Sequence, residues 1–265
     1  MKKFWGFLLV IVLMTSCGEY QSLLKSNDYN LVYKKAIEYY NKGDYQRAMN
    51  LLDGVRSVFV GQAKAQNIAY YRAFCSYNMK DYQIASDLFK QFIQTYPESS
   101  FAEECLYMMG FCDYKASPKP RLDQQVTEKA IREFQLYLSR YPYSMRKDKV
   151  NTYMDEMRDK LSYKAYLSAK NYYLREHYKA AVISLQNCLK DYPGSKYREE
   201  IMYMLFVSKY QMAVNSVEDK KVERYNNARE EYYYFADEYP NSRYAADVKK
   251  MYEDIEAYLE NYKIN

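Results

Sequence analysis

Apolar side chains recur every three or four residues over most of this chain. Val32, Tyr33, Ala36, Ile37 and Tyr40 form one stripe, and Val248, Met251, Ile255, Tyr258 and Tyr262 form another near the end, with acids and lysines opposite. That period predicts amphipathic helices. The helices are punctuated at even intervals: Ala169 is followed twelve residues on by Ala181, and Ala181 twelve residues on by Pro193. An Ala at a crossing lets two helices approach, and a Pro cannot continue the second, so residues 163–197 read as a helical hairpin closed by a Tyr-Pro corner. The step recurs from Ala85 to Pro97, Ala130 to Pro142 and Ala228 to Pro240, each time as Tyr-Pro-x-Ser. An earlier unit keeps Ala36 and Ala48 but ends in Phe59-Val60-Gly61.

The middle alanines of these units (Ala48, Ala85, Ala130, Ala181, Ala228) lie 37, 45, 51 and 47 residues apart, so the surplus over the shortest spacing must be insertions. Residues 115–126 carry Ser-Pro and Lys-Pro breaks, with Thr127 placed to cap the next helix. Residues 213–222 are polar and predict a longer loop or added helical turns. Residues 146–176 lack Pro and Gly and predict one helix of about 45 Å. Asn41-Lys42-Gly43-Asp44 makes a turn with Asp44 as the cap, and the stripe after the last Tyr-Pro predicts a solvating end helix.

A second regularity appears when the units are aligned on Ala36, Ala73, Gly110, Ala169 and Phe206. Three residues before each stands Tyr33, Tyr70, Tyr107, Tyr166 or Tyr203, and four after each stands Tyr40, Tyr77, Tyr114, Tyr173 or Tyr210. Positions i and i+7 share a helix face. Such a ladder either packs helix against helix, with its hydroxyls in water, or lines a groove that grips an extended or aromatic-rich peptide.

Residues 1–17 form a targeting segment: Lys2 and Lys3, an apolar run from Phe4 to Met14, then Thr15-Ser16-Cys17. The run is too short for a bilayer span, which takes about 20 residues, so it is a signal peptide. Its removal lowers the formal charge from +5 to +3, and the remaining charges are interspersed on helix faces, which argues against nucleic acid as a partner. Cys75, Cys105, Cys112 and Cys188 lack metal-ligand spacing and predict buried free thiols. His177 is the one histidine and falls at a turn; with no phosphate loop, serine elbow or ligand cluster, neither catalysis nor a metal or other cofactor is expected.

The Ala-twelve-Ala-twelve-Pro pattern, with Tyr45, Tyr82 and Tyr178 three residues before the middle Ala, resembles the tetratricopeptide repeat. Cys17 and the residues before it resemble a bacterial lipobox, which implies diacylation of the Cys17 thiol and, with Gly18 following, export to the outer membrane. Together these features are similar to the BamD family of barrel-assembly lipoproteins. The most specific segments are Asp81–Ser100, then Asp123-Gln124 with Thr127, Ala130, Phe134 and Tyr141-Pro142-Tyr143-Ser144, and Ala169–Ser195. The resemblance implies an all-α fold, a right-handed superhelix of about five tetratricopeptide-like helix pairs with a C-terminal capping helix. It also implies a signal peptide at 1–17, a tether at 18–29, N-terminal repeats at 30–145 and C-terminal repeats with the cap at 146–265.

By the same resemblance the protein is a non-catalytic scaffold, lipid-anchored at the periplasmic face of the outer membrane. Unfolded outer-membrane β-barrel proteins would enter a groove formed by Tyr33, Tyr40, Tyr70, Tyr77, Tyr107 and Tyr114. The periplasmic domains of the barrel insertase would dock at Tyr166, Tyr173, Tyr203 and Tyr210. The alternatives are an envelope tetratricopeptide lipoprotein that coordinates cell-wall synthesis or division, and a glycan- or nutrient-binding lipoprotein.

Overall fold

The computed structural model describes residues 18–264; the expected signal peptide and Cys17 lie outside them. Among the described residues the regular elements are all helices. A first helix, α1, covers residues 18–24. Five pairs follow: α2 (Tyr29–Asn41) with α3 (Tyr45–Val55), α4 (Lys64–Asn78) with α5 (Tyr82–Thr95), α6 (Ala102–Ala116) with α7 (Gln125–Arg140), α8 (Lys147–Leu174) with α9 (Tyr178–Asp191), and α10 (Arg198–Val214) with α11 (Glu218–Glu238). Helix α12 (Ala245–Ile264) ends the array. The protein is an all-α helical repeat. Its contacts divide it into two compact units, Met1–Pro118 with Asp123–Met157 and Lys119–Leu122 with Arg158–Asn265, so α8 contributes to both.

The alanines that the repeat pattern singled out sit where helices cross. Ala48, Ala85, Ala130, Ala181 and Ala228 are fully buried, as are Ala36, Ala73 and Ala169. In α6 the equivalent position is Gly110, where a Cβ would stand 2.9 Å from Cδ1 of the buried Phe134 ring. Only glycine fits that approach. Around these crossings, Leu51, Leu52, Ile68, Phe89, Phe92, Phe134 and Met157 fill the first unit. Leu185, Leu205, Phe206, Phe235, Val248 and Ile255 fill the second.

The four Tyr-Pro corners are copies of one another. Tyr96, Tyr141, Tyr192 and Tyr239 end their helices at φ −130, −127, −132 and −132. A following proline disfavours the helical ψ at these residues, which stand at ψ 60–66, and so stops the helix. Two residues past the proline, each serine faces two ways. Ser99, Ser144, Ser195 and Ser242 accept from the backbone N–H of Phe101, Arg146, Tyr197 and Tyr244 at 3.0–3.3 Å. On the other side Ser99, Ser144 and Ser242 donate to Gln66, Glu103 and Glu199, while Ser195 accepts from Ser162. Each of these partners lies seven residues before the aligned Ala, Gly or Phe, in the first helix of the preceding pair. The serine therefore ties every corner to the pair before it.

The turns inside the pairs obey a second rule. Gly43, Lys80 and Glu176 occupy equivalent places with φ of +82, +67 and +58, the left-handed conformation that ends a helix without a Cβ penalty only for glycine. Asp44 caps α3, its carboxylate accepting from the Arg47 N–H at 3.2 Å. In α6–α7 the insertion replaces the turn, and here one expectation is corrected. Thr127 is not the cap but lies inside α7, its buried hydroxyl bonded to Ser117 and Gln124. The carboxylate of Asp123 instead receives the Gln125 N–H at 2.8 Å. Between α10 and α11 the surplus is helix rather than loop, since only residues 215–217 separate them. The segment 18–29, expected as a tether, folds as α1 against α2 and runs into the Asp28 cap.

Candidate interaction surfaces

The tyrosine ladder follows the first helix of each pair, and its rings are engaged by the protein itself. In the first unit Tyr33 packs near Phe59 with the Lys64 ammonium 5.8 Å from its centre. Tyr40 meets Tyr45 and Tyr71 edge-on at 5.5 and 4.9 Å, and burial pushes its phenol up to about 12. Tyr70 lies 4.6 Å from Phe101 and donates to Glu104 at 2.8 Å; burial and that carboxylate hold its proton on. Tyr77 packs among Phe74, Tyr82 and Phe111. Tyr107 is buried beneath the Arg146 guanidinium, and Tyr114 stacks at 4.4 Å on Tyr153 while donating to Glu156.

In the second unit Tyr166 is buried flat against Tyr197, centroids 4.3 Å apart, and accepts from Lys170 at 2.8 Å. Tyr203 stacks on Tyr244 at 4.0 Å. Tyr173 is half-buried, its phenol raised to about 12 chiefly by burial, and Tyr210 donates to Asp254 at 3.2 Å.

Sequence reasoning found these ten rings but missed what covers them. The first tyrosine of each unit from Tyr70 onward is covered by the residue two past the corner serine: Phe101 on Tyr70, Arg146 on Tyr107, Tyr197 on Tyr166 and Tyr244 on Tyr203. The identity changes from unit to unit, and what persists is a ring or a cation over a ring, each an attractive partner for its π face.

The second unit carries several open grooves, of which one is notably aromatic. It measures about 790 Å³ and is lined by Tyr163, Tyr166 and Tyr197 with Arg121, Lys164 and Lys170. Tyr163 and Tyr166 both stack on Tyr197. Lys164 reaches the Leu122 carbonyl at 2.8 Å, and Lys170 pairs with Glu200 at 2.7 Å, while Arg121 is exposed. Leu167, Ser168, Asn171 and Leu174 complete the lining, so the wall is aromatic and apolar with cations at Arg121, Lys164 and the paired Lys170. Nothing in the sequence pattern marked Arg121, which sits in the insertion between α6 and α7.

His177 is exposed at the start of α9. Burial raises the thiols of Cys75 and Cys105 to about 12 and that of Cys188 to about 11, and all four described cysteines are buried and free. No group of three or more His, Cys, Asp or Glu among the described residues is arranged to hold a metal ion. No helix among them is long and apolar enough to cross a membrane.

A family model described as YfiO, outer membrane lipoprotein, matches residues 25–200 and 164–265. The chain belongs to this family, the BamD family of outer membrane lipoproteins. None of the curated proteins matches it significantly. Among solved structures, the YfiO-family chain is similar to a tetratricopeptide-repeat protein from Bacteroides fragilis, at 13% identity and a TM-score of 0.42, over 88% of this chain and 99% of that one. It is also similar to the TPR2AB domain of yeast Sti1 in a pHSP90 complex, at 14% identity and a TM-score of 0.39, over 86% and 98% of the two chains. Human IFIT1, solved as a dimer with PPP-AAAA, aligns at 17% identity and a TM-score of 0.31, over 94% and 63%. In this YfiO-family protein the two halves of the ladder fall in different compact units, Tyr33–Tyr114 in the first and Tyr166–Tyr210 in the second.

Proposed function

We propose that this protein is a non-catalytic scaffold of β-barrel assembly, anchored through acylated Cys17 at the periplasmic face of the outer membrane. The family match, which together spans residues 25–265, carries the proposal. Paired helices of one repeated design support it, because they offer long side-chain faces and no reaction centre. The first unit receives unfolded outer-membrane proteins along the helices bearing Tyr33, Tyr40, Tyr70, Tyr77, Tyr107 and Tyr114. The second docks the periplasmic domains of the barrel insertase on the face bearing Tyr166, Tyr173, Tyr203 and Tyr210. There the aromatic and cationic groove suits a partner surface of apolar side chains and carboxylates.

Tyr77 tests the receiving half. It is half-buried, and no side chain hydrogen-bonds its hydroxyl, so Tyr77→Ala removes ring surface and leaves the Tyr70–Glu104 and Tyr114–Glu156 links in place. Titrating a fluorescent peptide from the C-terminus of an outer-membrane barrel protein should give binding weakened at least five-fold, with the far-ultraviolet helical signal unchanged. Equal affinity of variant and wild type contradicts the assignment of this groove.

A further inference from the structure

The direction of α1 decides which edge of the first unit meets the membrane. Glu19 pairs with Lys35 at 3.0 Å, Tyr20 packs on Tyr39 at 5.9 Å, and the Tyr20 hydroxyl accepts from Asn50 at 3.0 Å. The Arg47 guanidinium lies 5.3 Å from the Tyr20 ring. Tyr39 is in the last turn of α2 and Arg47 in the first turn of α3. At the other end of α1, Leu23 is buried in the same core as Val32, and Ser26 accepts from the Asp28 N–H. Helix α1 therefore runs antiparallel to α2, and its beginning lies beside the α2–α3 turn.

Gly18 alone separates Glu19 from Cys17. A chain reaches at most about 3.6 Å per residue, so acyl chains on Cys17 would start within about 8 Å of the pinned Glu19 backbone. The α3–α4 corner stands at the far end of α2, whose 13 residues measure about 20 Å. The α4–α5 turn shares the near edge, because Asn78 at the end of α4 stands beside the Tyr40 phenol in the last turn of α2. Outward from this edge stand the exposed Lys42 and Lys80. Two carboxylates share this edge: Asp44, occupied by the Arg47 N–H and guanidinium, and the exposed Asp81 beside Lys80. No large apolar side chain on residues 41–44 or 78–81 is exposed, whereas Val58 and Val60 at the far corner are 39% and 74% exposed.

We infer that the edge carrying the α2–α3 and α4–α5 turns rests on the bilayer at the level of the lipid phosphates, with Lys42 and Lys80 toward them, and that the corners at Val60 and Glu98 point away. The inference rests on acylation of Cys17, which the proposed function also uses. A tether of one residue leaves the first unit little freedom to turn over, and ammonium groups without exposed apolar neighbours suit headgroups rather than acyl chains.

The test uses full-length lipoprotein extracted from membranes and reconstituted into vesicles whose phosphatidylcholine carries a headgroup nitroxide. Four variants, Lys42→Cys, Lys80→Cys, Val60→Cys and Glu98→Cys, place an environment-sensitive fluorophore at exposed sites, the four native cysteines of the repeats being buried. Mass spectrometry of the N-terminal peptide is read on the same samples. The inference expects diacylated Cys17 and quenching at least three-fold stronger at 42 and 80 than at 60 and 98. Diacylated protein quenched equally at both edges, or more at 60 and 98, overturns the orientation and leaves the anchor standing. An unmodified Cys17 overturns both.

Discussion

Glu133 shows how much one side chain carries in this fold. It projects from α7 into a buried cluster with Asp113 of α6, where Lys129 bridges Asp113 at 2.9 Å and Glu133 at 3.7 Å; Ser86 of α5 donates to Asp113, and Asp87 and Lys90 of the same helix stand nearby. Burial, and then the adjacent Asp113 carboxyl, push Glu133 up to about 8. The folded protein therefore holds a proton that the unfolded chain releases near pH 4.3. Stability from this group is present below that value and is lost as pH rises through 8. Thermal unfolding should show a higher midpoint at pH 5.5 than at pH 8.5, corresponding to a stability difference on the order of a few kcal/mol. Glu133→Gln, neutral throughout, should flatten that slope; an unchanged slope would place the titrating group elsewhere. The sequence concealed this cluster because one apolar stripe looks the same whether or not a carboxylate interrupts its buried edge.

At the scale of elements, the corners were legible because proline and a crossing alanine impose backbone geometry by themselves. Their fixed spacing predicts all five pairs and the end helix. Two things were not legible. Thr127 has the chemistry of a cap and the position of a core residue, and only the packing of Ser117 against it distinguishes the two. The covering residues of the ladder, Phe101, Arg146, Tyr197 and Tyr244, belong to the next pair and share no residue type. The turns inside the pairs make a direct prediction. Glu176 holds the left-handed conformation that Gly43 holds without strain. A non-glycine residue there costs about 1 kcal/mol, so Glu176→Gly should raise stability by up to about 0.6 kcal/mol in urea unfolding, once the added freedom of the unfolded chain is counted. A loss of stability would mean that the Glu176 side chain makes a compensating contact.

Across the whole molecule, two compact units are built from the same pair and differ in what their faces offer. The first carries the α1 segment that leads back to Cys17, the proposed site of acylation. The second carries a groove walled by three tyrosines and three cations, one of them supplied by the insertion between α6 and α7. A scaffold needs only such faces, held at fixed spacing by serines that lock each corner to its neighbour. That the chain is an outer membrane lipoprotein follows from its family; that it serves barrel assembly is the central claim. Affinity purification of the acylated protein from detergent-solubilised outer membranes tests it most directly, with wild type beside Arg121→Glu, a substitution at an exposed groove residue. The account predicts a barrel insertase as the main partner of wild type, recovered at least three-fold less by the variant. Recovery of wall-synthesis enzymes without an insertase would contradict it.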